Sequence, residues 1–333
     1  MNFKQIAIIG VDCISASMAL KLKEQRDPPQ ITGYDTEAVA VDLVRSMGGF
    51  DLIERKPGRA CKGAELVIVA EPLSAIQETF TAIAPHLERG CLVTDTACLK
   101  APVMRWAEEL LPESVSFVGG HIILHPAIVK LDTLEGLDKA NADLLKEALY
   151  CLTTPKDFVR ADVCVELARA LETHPYFIDA TEHDGLHAGV ESLPDLLSVA
   201  LLQATVDTAG WEEMCNLAGR RFAIATEGAA PSQEHSFQER RAAIILNREN
   251  LLLRLNIILE ELVRLRDVLS QNDAEKIEEI FAAAVEGRES WIRERRQGMW
   301  TKGGLLDQED TPGLGEQFKQ MILGGNIARR LKG

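Results

Sequence analysis

The sequence predicts an α/β protein: its N-terminal half is a mostly parallel sheet with helices on both faces, and its C-terminal half is all-α. Short apolar runs alternate with helical patterns up to about residue 180, as in a parallel sheet with helical crossovers. The runs are continuously apolar, which indicates strands buried on both faces. A chain of 333 residues exceeds what one hydrophobic core usually serves. We therefore predict two domains, 1–180 and 181–296, and a C-terminal arm or tail, 297–333.

The elements of the first domain follow from their local patterns. Seven apolar runs have the length and composition of strands: 6–9, 31–35, 65–70, 91–95, 115–118, 150–153 and 176–179. Apolar residues at helical spacing predict helices between most of these runs, among them 16–23, 36–47 and 76–87.

The second domain is predicted to be helical and to form a homodimer. Thr181 can cap a helix that begins at Glu182, because its hydroxyl accepts hydrogen bonds from the first turn. A second helical pattern, 234–269, carries a long and broad apolar stripe. Such a stripe needs more partners than a modest domain offers, so we expect a helical interface between two copies of the chain. The tail has at most one short helix, 317–323.

Composition argues against several functional classes. The net charge of -15 makes a surface that repels phosphate backbones, so we expect no nucleic-acid partner. The chain shows neither a signal-peptide pattern nor the ~18-residue apolar run that crosses a bilayer, so we expect no membrane partner and a cytoplasmic location. The seven cysteines form no C-x-x-C pair. They indicate buried, reduced thiols, and no residues have the spacing of a metal site.

A degenerate nucleotide-binding loop joins the first predicted strand to the first predicted helix. The fingerprint G-x-G-x-x-G provides a tight turn and lets a pyrophosphate approach the backbone. Here the loop reads Gly-Val-Asp-Cys-Ile-Ser over residues 10–15, so only Gly10 is retained. Asp12 and Ser15 take the other two glycine positions. The strand–loop–helix context still predicts a Rossmann-type domain that binds NAD, with NADP as the alternative.

Two acidic residues of this domain, Asp12 and Asp35, are expected to affect cofactor binding. Asp12 can occupy the anion site at the helix N-terminus and repel a pyrophosphate. At ~4 Å and an effective dielectric of about 20, two unit charges interact by about 4 kcal/mol, so we expect weak NAD binding. Asp35 stands where an acid bonds the ribose hydroxyls, or it caps the following helix. The predicted cofactor contacts are Gly10, Asp12, Ile14, Asp35 and Thr96.

Six segments resemble the motifs of one enzyme family, in the family's order. They are GVDCISAS at 10–17, TDTACLKAPV at 94–103, FVGGH at 117–121, EHD at 182–184, VESLPD at 190–195 and NRENL at 247–251. The corresponding family patterns are G-L-G-L-I-G-G-S, T-D-V-G-S-V-K-x-x-V, F-V-G-G-H-P, E-x-H-D, V-S-H-L-P-H and N-R-E-x-L. From about residue 5 to 270 the chain thus resembles the prephenate and arogenate dehydrogenases of tyrosine biosynthesis.

The resemblance implies a reaction and candidate catalytic residues. Such enzymes pass a hydride from the ring carbon that bears the 4-hydroxyl to a nicotinamide, and loss of carbon dioxide then aromatises the ring. His121 matches the family's catalytic histidine, which takes or holds the hydroxyl proton. His125, followed by proline, offers a competing register. Cys98 falls where the family has a serine near that histidine.

The substrate-binding positions depart further from the family pattern. Arg221 best matches the arginine that binds the substrate carboxylates, with Arg220 as the one-residue alternative. Ser192 and Asp195 replace both histidines of S-H-L-P-H; Ser192 is retained as a predicted substrate contact, whereas a carboxylate at 195 disfavours a dianion. Two alternatives stay open: a non-catalytic or substrate-shifted homologue that binds a nucleotide or metabolite, and another reductase of similar architecture.

Overall fold

The computed structural model describes residues 3–36, 43, 45–125, 136–155, 160–230 and 237–297. Its contacts divide the chain into two compact units. The first, here the sheet unit, comprises Met1–Ala180 together with Ile280–Gly333, and the second, here the helical unit, comprises Thr181–Glu279.

The described part of the sheet unit contains one eight-stranded sheet. Its strands are β1 (Gln5–Ile9), β2 (Gln30–Tyr34), β3 (Leu52–Glu54), β4 (Leu66–Val69), β5 (Leu92–Asp95), β6 (Ser116–Ile123), β7 (Leu149–Thr153) and β8 (His174–Phe177). They lie in the order β3-β2-β1-β4-β5-β6-β7-β8. All neighbours are parallel except β6 and β7. The order of the first six strands is that of a dinucleotide-binding Rossmann sheet.

Helices follow most of the strands and make up the helical unit. The sheet unit contains α1 (Cys13–Lys23), α2 (Pro57–Ala60), α3 (Ile76–Ile83), α4 (Ala101–Leu110) and α5 (Ala161–Ala170). The remaining helices are α6 (Ala180–His187), α7 (Leu193–Gln203), α8 (Trp211–Leu217), α9 (Arg220–Thr226), α10 (Phe237–Leu246), α11 (Arg248–Ser270) and α12 (Ala274–Arg296). From Ile280 onward, α12 belongs to the sheet unit. A π-helical turn, Ala188–Ser192, joins α6 to α7.

The core of the sheet unit lies around the central strands. All four residues of β4 are buried, as are four of the five residues of β1. Met18 and Leu22 of α1 are fully buried and belong to the same apolar cluster as Ile8 and Ile68. Truncating one such side chain to alanine typically costs about 2–5 kcal/mol, so this packing fixes the strand ends that carry the candidate site.

The α/β class with a parallel sheet and following helices is confirmed, while several element boundaries were wrong. The edge strand β3 was not predicted, β6 extends to Ile123, and β8 lies two residues earlier than expected. Thr181 is not a helix cap, because α6 already begins at Ala180. The single helix predicted at 234–269 is two helices, α10 and α11, which are separated at Asn247.

Some expectations fall outside the described residues. Most of the predicted helix 36–47 lies there, and so does the tail from residue 298 onward with its predicted short helix 317–323. Among the helices that the structure describes, none combines the length and the apolar character that crossing a bilayer requires.

Candidate active site

The predicted cofactor residues of the sheet unit gather where parallel strands end. The loop 10–12 follows β1, Asp35 follows β2, and Glu71 lies two residues after β4. Since β2 and β4 flank β1 on opposite sides, the strand order reverses at β1. Rossmann sheets bind dinucleotides at the carboxyl ends of strands at such a switch point.

Gly10 is required by the turn that leaves β1. Its φ is +84°, in the left-handed region that favours glycine, and its N–H donates to the Tyr34 carbonyl at 2.9 Å. A Cβ at this position would lie 2.6 Å from the Ala70 carbonyl oxygen. The one glycine that the degenerate loop retains is therefore the one that the backbone geometry demands.

Asp12 occupies the helix N-terminus that usually receives a phosphate. It is the N-cap of α1: its Oδ1 accepts the Ser15 N–H at 2.7 Å, and the Ser15 Oγ accepts the Asp12 N–H at 3.0 Å. Burial raises the pKa of Asp12, while the Ser15 N–H opposes that shift by stabilising the charged form. The two residues that replace glycines thus form a reciprocal capping box.

A third carboxylate, Glu71, lies near Asp12 and Asp35. Burial raises the pKa of Glu71 to about 7, and the charges of Asp35 and Asp12 add to the shift. Asp35 itself is bonded to the loop, because its Oδ2 accepts the Val11 N–H at 2.9 Å. Sequence reasoning missed Glu71, although an acid directly after the buried run 66–70 was a readable signal.

The other predicted cofactor contacts lie on neighbouring segments. Ile14 is half-buried in the first turn of α1. Thr96 follows β5, and its N–H donates to the Val69 carbonyl of β4 at 3.1 Å. Gly10, Asp12, Ile14 and Asp35 therefore lie around the loop that follows β1, whereas Thr96 lies at the ends of β4 and β5.

A buried ion pair links β5 to the strand that carries His121. The Lys100 Nζ lies 2.5 Å from the Asp95 Oδ2, and both side chains are completely buried. The Lys100 Nζ also donates to the Gly120 carbonyl at 2.5 Å, and the Gly120 N–H donates to the Asp95 Oδ1 at 2.9 Å. The sequence contained both charged residues within a motif but gave no sign that they would be buried.

The two competing histidines have different environments. His121 is half-buried on β6 and pairs with Cys151 of β7. His125 is buried, and its Nε2 lies 2.5 Å from the Arg295 carbonyl of α12. Cys98 is half-buried in the segment after β5. The contact of His125 with a backbone carbonyl favours a structural part for it, while His121 remains the predicted catalytic residue.

The motif residues of the helical unit form a buried polar network. The His183 Nδ1 lies 2.9 Å from the Asp184 Oδ1, and the Asn247 Nδ2 donates to the Asp184 carbonyl at 2.8 Å. The Ser192 Oγ lies 3.4 Å from the His187 Nδ1, and the His183 and His187 rings stack at 6.1 Å. Three segments that the sequence singled out, 182–184, 190–195 and 247–251, therefore meet within this unit.

The structure does not bring the predicted substrate arginine into this network. Arg221 and Arg220 are both exposed on α9, whereas Ser192 is buried in the π-helical turn. The Asp195 Oδ2 lies 3.9 Å from the Arg240 Nε, so a cation partly offsets the charge that was expected to disfavour a dianion.

Comparisons with known proteins support the family that the motifs suggest. The family model described as the nucleotide-binding domain of prephenate dehydrogenase matches residues 18–176. A prephenate dehydrogenase of Lactococcus lactis subsp. cremoris is 30% identical over 209 residues, which are 62% of this chain and 55% of that protein. A prephenate dehydrogenase of Bacillus subtilis is 24% identical over 328 residues, covering 97% of this chain and 86% of that protein.

A solved structure shows the same fold. The prephenate dehydrogenase of A. aeolicus, in complex with hydroxyphenyl propionate and NAD+, superposes with a TM-score of 0.74 at 18% identity, covering 87% of this chain and 99% of that one. The range of the family model begins after the degenerate loop 10–15, so the assignment does not depend on that loop. Residues 18–176 thus match the nucleotide-binding domain of prephenate dehydrogenase, and the chain is similar to prephenate dehydrogenases beyond that range.

Proposed function

We propose that this protein is an NAD-dependent dehydrogenase that oxidatively decarboxylates prephenate, with arogenate as the competing substrate. The observation that carries the proposal is the Rossmann strand order, with the Gly10 turn at the switch point and His121 on β6 of the same sheet. The similarity to prephenate dehydrogenases supports the reaction class.

His121 is the residue to which we assign the proton chemistry. An imidazole takes up and releases protons near neutral pH, so His121 can accept the proton of the substrate 4-hydroxyl. Cys98 is the proposed neighbour that orients the same hydroxyl. A bound nicotinamide supplies the hydride acceptor, and loss of carbon dioxide then completes the aromatisation of the ring.

The switch-point residues fit a dinucleotide, at an electrostatic cost. A Cβ at Gly10 would lie 2.6 Å from the Ala70 carbonyl oxygen, so glycine keeps this turn close against the end of β4, at the switch point where Rossmann sheets bind dinucleotides. We propose that Asp35, which already holds the Val11 N–H, bonds the ribose, and that Ile14 and Thr96 contact the cofactor. Asp12 weakens the anion site, and a 2′-phosphate beside Asp35 would add further repulsion, which favours NAD over NADP.

For the substrate carboxylates we retain Arg221 and Ser192 as proposals. The exposed guanidinium of Arg221 can present a planar fork to a carboxylate. The hydroxyl of Ser192 is held 3.4 Å from the His187 Nδ1. Both assignments rest on the resemblance to the family motifs, and each needs to be tested by a substitution of that residue.

A direct assay tests the proposed function. Purified protein is incubated with prephenate or arogenate and with NAD or NADP, while NAD(P)H absorbance and carbon dioxide release are followed. We expect prephenate with NAD to give the highest kcat/KM. His121→Asn should lower kcat by about 10²–10⁴-fold, whereas His125→Gln should not. If the His121 variant keeps its turnover and the His125 variant loses it, His125 and not His121 is the catalytic histidine. If no combination of substrate and cofactor is turned over by the wild type, the proposed function is rejected.

We also propose that the protein is a cytoplasmic homodimer. Large apolar side chains are exposed along α11 and α12: Leu252, Leu253, Leu259, Leu262, Leu269, Phe281, Val285 and Trp291. A second copy of the chain could cover them. None of the seven cysteines, all within the described residues, forms a disulfide, which suits a reducing compartment. Light scattering should give twice the 36.7 kDa chain mass; a monomer at micromolar concentration would reject the dimer.

A further inference from the structure

We propose that Asp95 and Lys100 form a clamp that positions His121 for catalysis, an inference that rests on the proposed function. Both backbone polar groups of Gly120, the residue before His121, bond to this pair: the N–H to the Asp95 Oδ1 at 2.9 Å and the carbonyl to the Lys100 Nζ at 2.5 Å. These two bonds hold the two peptide planes on either side of the Gly120 Cα, and the second of these planes includes the His121 nitrogen.

The clamp continues the contact between β5 and β6 beyond the point where their backbone hydrogen bonds end. The last pair that joins β5 to β6 is Thr94 with Val118, yet β6 continues to Ile123. Along that extension β7 pairs with one edge of β6. On the other edge, the Asp95 and Lys100 side chains provide the acceptor and the donor that a further β5 residue would have provided.

The close fit of the clamp explains the Gly-Gly pair before His121. A Cβ at Gly120 would lie 2.6 Å from the Asp95 carbonyl oxygen and 2.8 Å from the Tyr150 Cε2. A Cβ at Gly119 would lie 3.1 Å from the Lys100 Cδ. A side chain at Gly120 would therefore clash with the backbone of Asp95, and one at Gly119 would require the Lys100 side chain to shift.

The same carboxylate also holds the segment that carries Cys98. The Asp95 Oδ2 accepts the Ala97 N–H at 3.0 Å as well as the Lys100 ammonium. One buried carboxylate therefore bonds both to the segment that carries Cys98 and to the strand that carries His121.

Stability alone is a weak reason for such a pair. Withdrawing two charges from water costs several kcal/mol per ion, and well-packed apolar residues often replace buried pairs without loss of stability. A carboxylate and an ammonium do, however, impose fixed directions on the groups that they bond. A misplacement of about 1 Å can cost a reaction about 10²-fold in rate, so accurate placement of His121 is a sufficient reason for the clamp.

The test removes both charges at once in the full-length protein, so that neither ion is left buried alone. The double variant Asp95→Asn/Lys100→Met is compared with Lys21→Met/Glu172→Gln, which removes a 2.7 Å ion pair of the same unit. Histidine-labelled protein gives the ring signals and titration of His121 by NMR, and His121→Gln assigns its signal. Kinetics with prephenate and NAD give kcat and KM separately.

The clamp predicts three results for the Asp95/Lys100 variant. The His121 titration midpoint should move by at least about half a pH unit, kcat should fall at least about tenfold, and KM for prephenate should change less than about threefold. The Lys21/Glu172 variant should leave all three unchanged. If His121 titrates as in the wild type in a folded Asp95/Lys100 variant, the clamp is wrong.

The outcomes separate this inference from the proposed function. If the wild type turns over no substrate, the proposed function fails, but the His121 titration still decides whether the pair sets its environment. If the double variant does not fold, amide exchange in the wild type decides instead. A Gly120 amide that exchanges as slowly as those of β5 supports the clamp, and one that exchanges like an exposed loop amide overturns it.

Discussion

Asp12→Asn tests the electrostatics of the nucleotide loop with the least structural change. Asparagine caps helices about as well as aspartate does, so the bond from the Ser15 N–H at 2.7 Å can remain while the charge is removed. A phosphate at the same helix end would lie ~5 Å from the carboxylate. At an effective dielectric of about 20 that repulsion is about 3 kcal/mol.

Each 1.4 kcal/mol corresponds to about tenfold in affinity, and salt screening lowers the full value. We therefore expect Asp12→Asn to tighten the Kd for NAD at least about tenfold. Titration calorimetry at pH 8 measures the change, and thermal unfolding checks that the helix cap survives. Asp27→Asn is the matched control, because it removes the same charge from an exposed residue that precedes β2.

Two results would refute the electrostatic reasoning. A Kd that changes less than twofold would mean that the carboxylate does not act on the cofactor. Sub-micromolar affinity in the wild type would mean that the capped helix end still receives the pyrophosphate without penalty.

Three further variants test other contacts. The pKa of Glu71 is raised to about 7 in the folded protein, so between pH 4.5 and 7 the folded state keeps a proton that the unfolded chain has lost. The free energy of unfolding of the wild type should therefore fall as pH rises from 4.5 through 7. Calorimetric melts of Glu71→Gln should lack that fall. Gly120→Ala should lower the free energy of unfolding, measured by urea titration, by about 1–3 kcal/mol, because its Cβ would lie 2.6 Å from a backbone oxygen. The control is Gly287→Ala in α12, where a Cβ meets open space; it should raise the same free energy by about 0.5–1 kcal/mol. Asn247→Ala removes the donor to the Asp184 carbonyl and should cost about 1–3 kcal/mol in the same assay; exposed Asn216→Ala should change stability by under about 0.5 kcal/mol.

The central sheet could be predicted because burial on both faces leaves a direct mark on the sequence. Strands β1 and β4 lie within continuous apolar runs, which are typical of strands buried on both faces of a sheet. The strand β3 left no such mark, since it is three residues long at the sheet edge and Leu52 is 48% exposed. The extension of β6 was hidden because Gly-Gly normally weakens a strand.

The site could be located from sequence but not resolved in detail. Gly10, Asp12 and Asp35 follow from the strand–loop–helix pattern, which is local. The burial of Lys100 depends on Asp95 and Gly120, and lysine is rarely buried without a partner. The break at Asn247 likewise depends on Asp184, 63 residues earlier. Such contacts arise only when distant segments meet, so a periodic pattern does not record them.

The path of the polypeptide has a practical consequence for dissecting this protein. The chain passes from the sheet unit to the helical unit after Ala180 and returns at Ile280. Cleaving the chain at one of these two crossings would leave the sheet unit and the helical unit covalently joined through the other crossing. An expression fragment that stops at Ala180 would also remove the backbone carbonyl of Arg295 that meets the His125 ring. Work on the isolated nucleotide-binding part would therefore need the two stretches supplied together, as a linked or co-expressed pair.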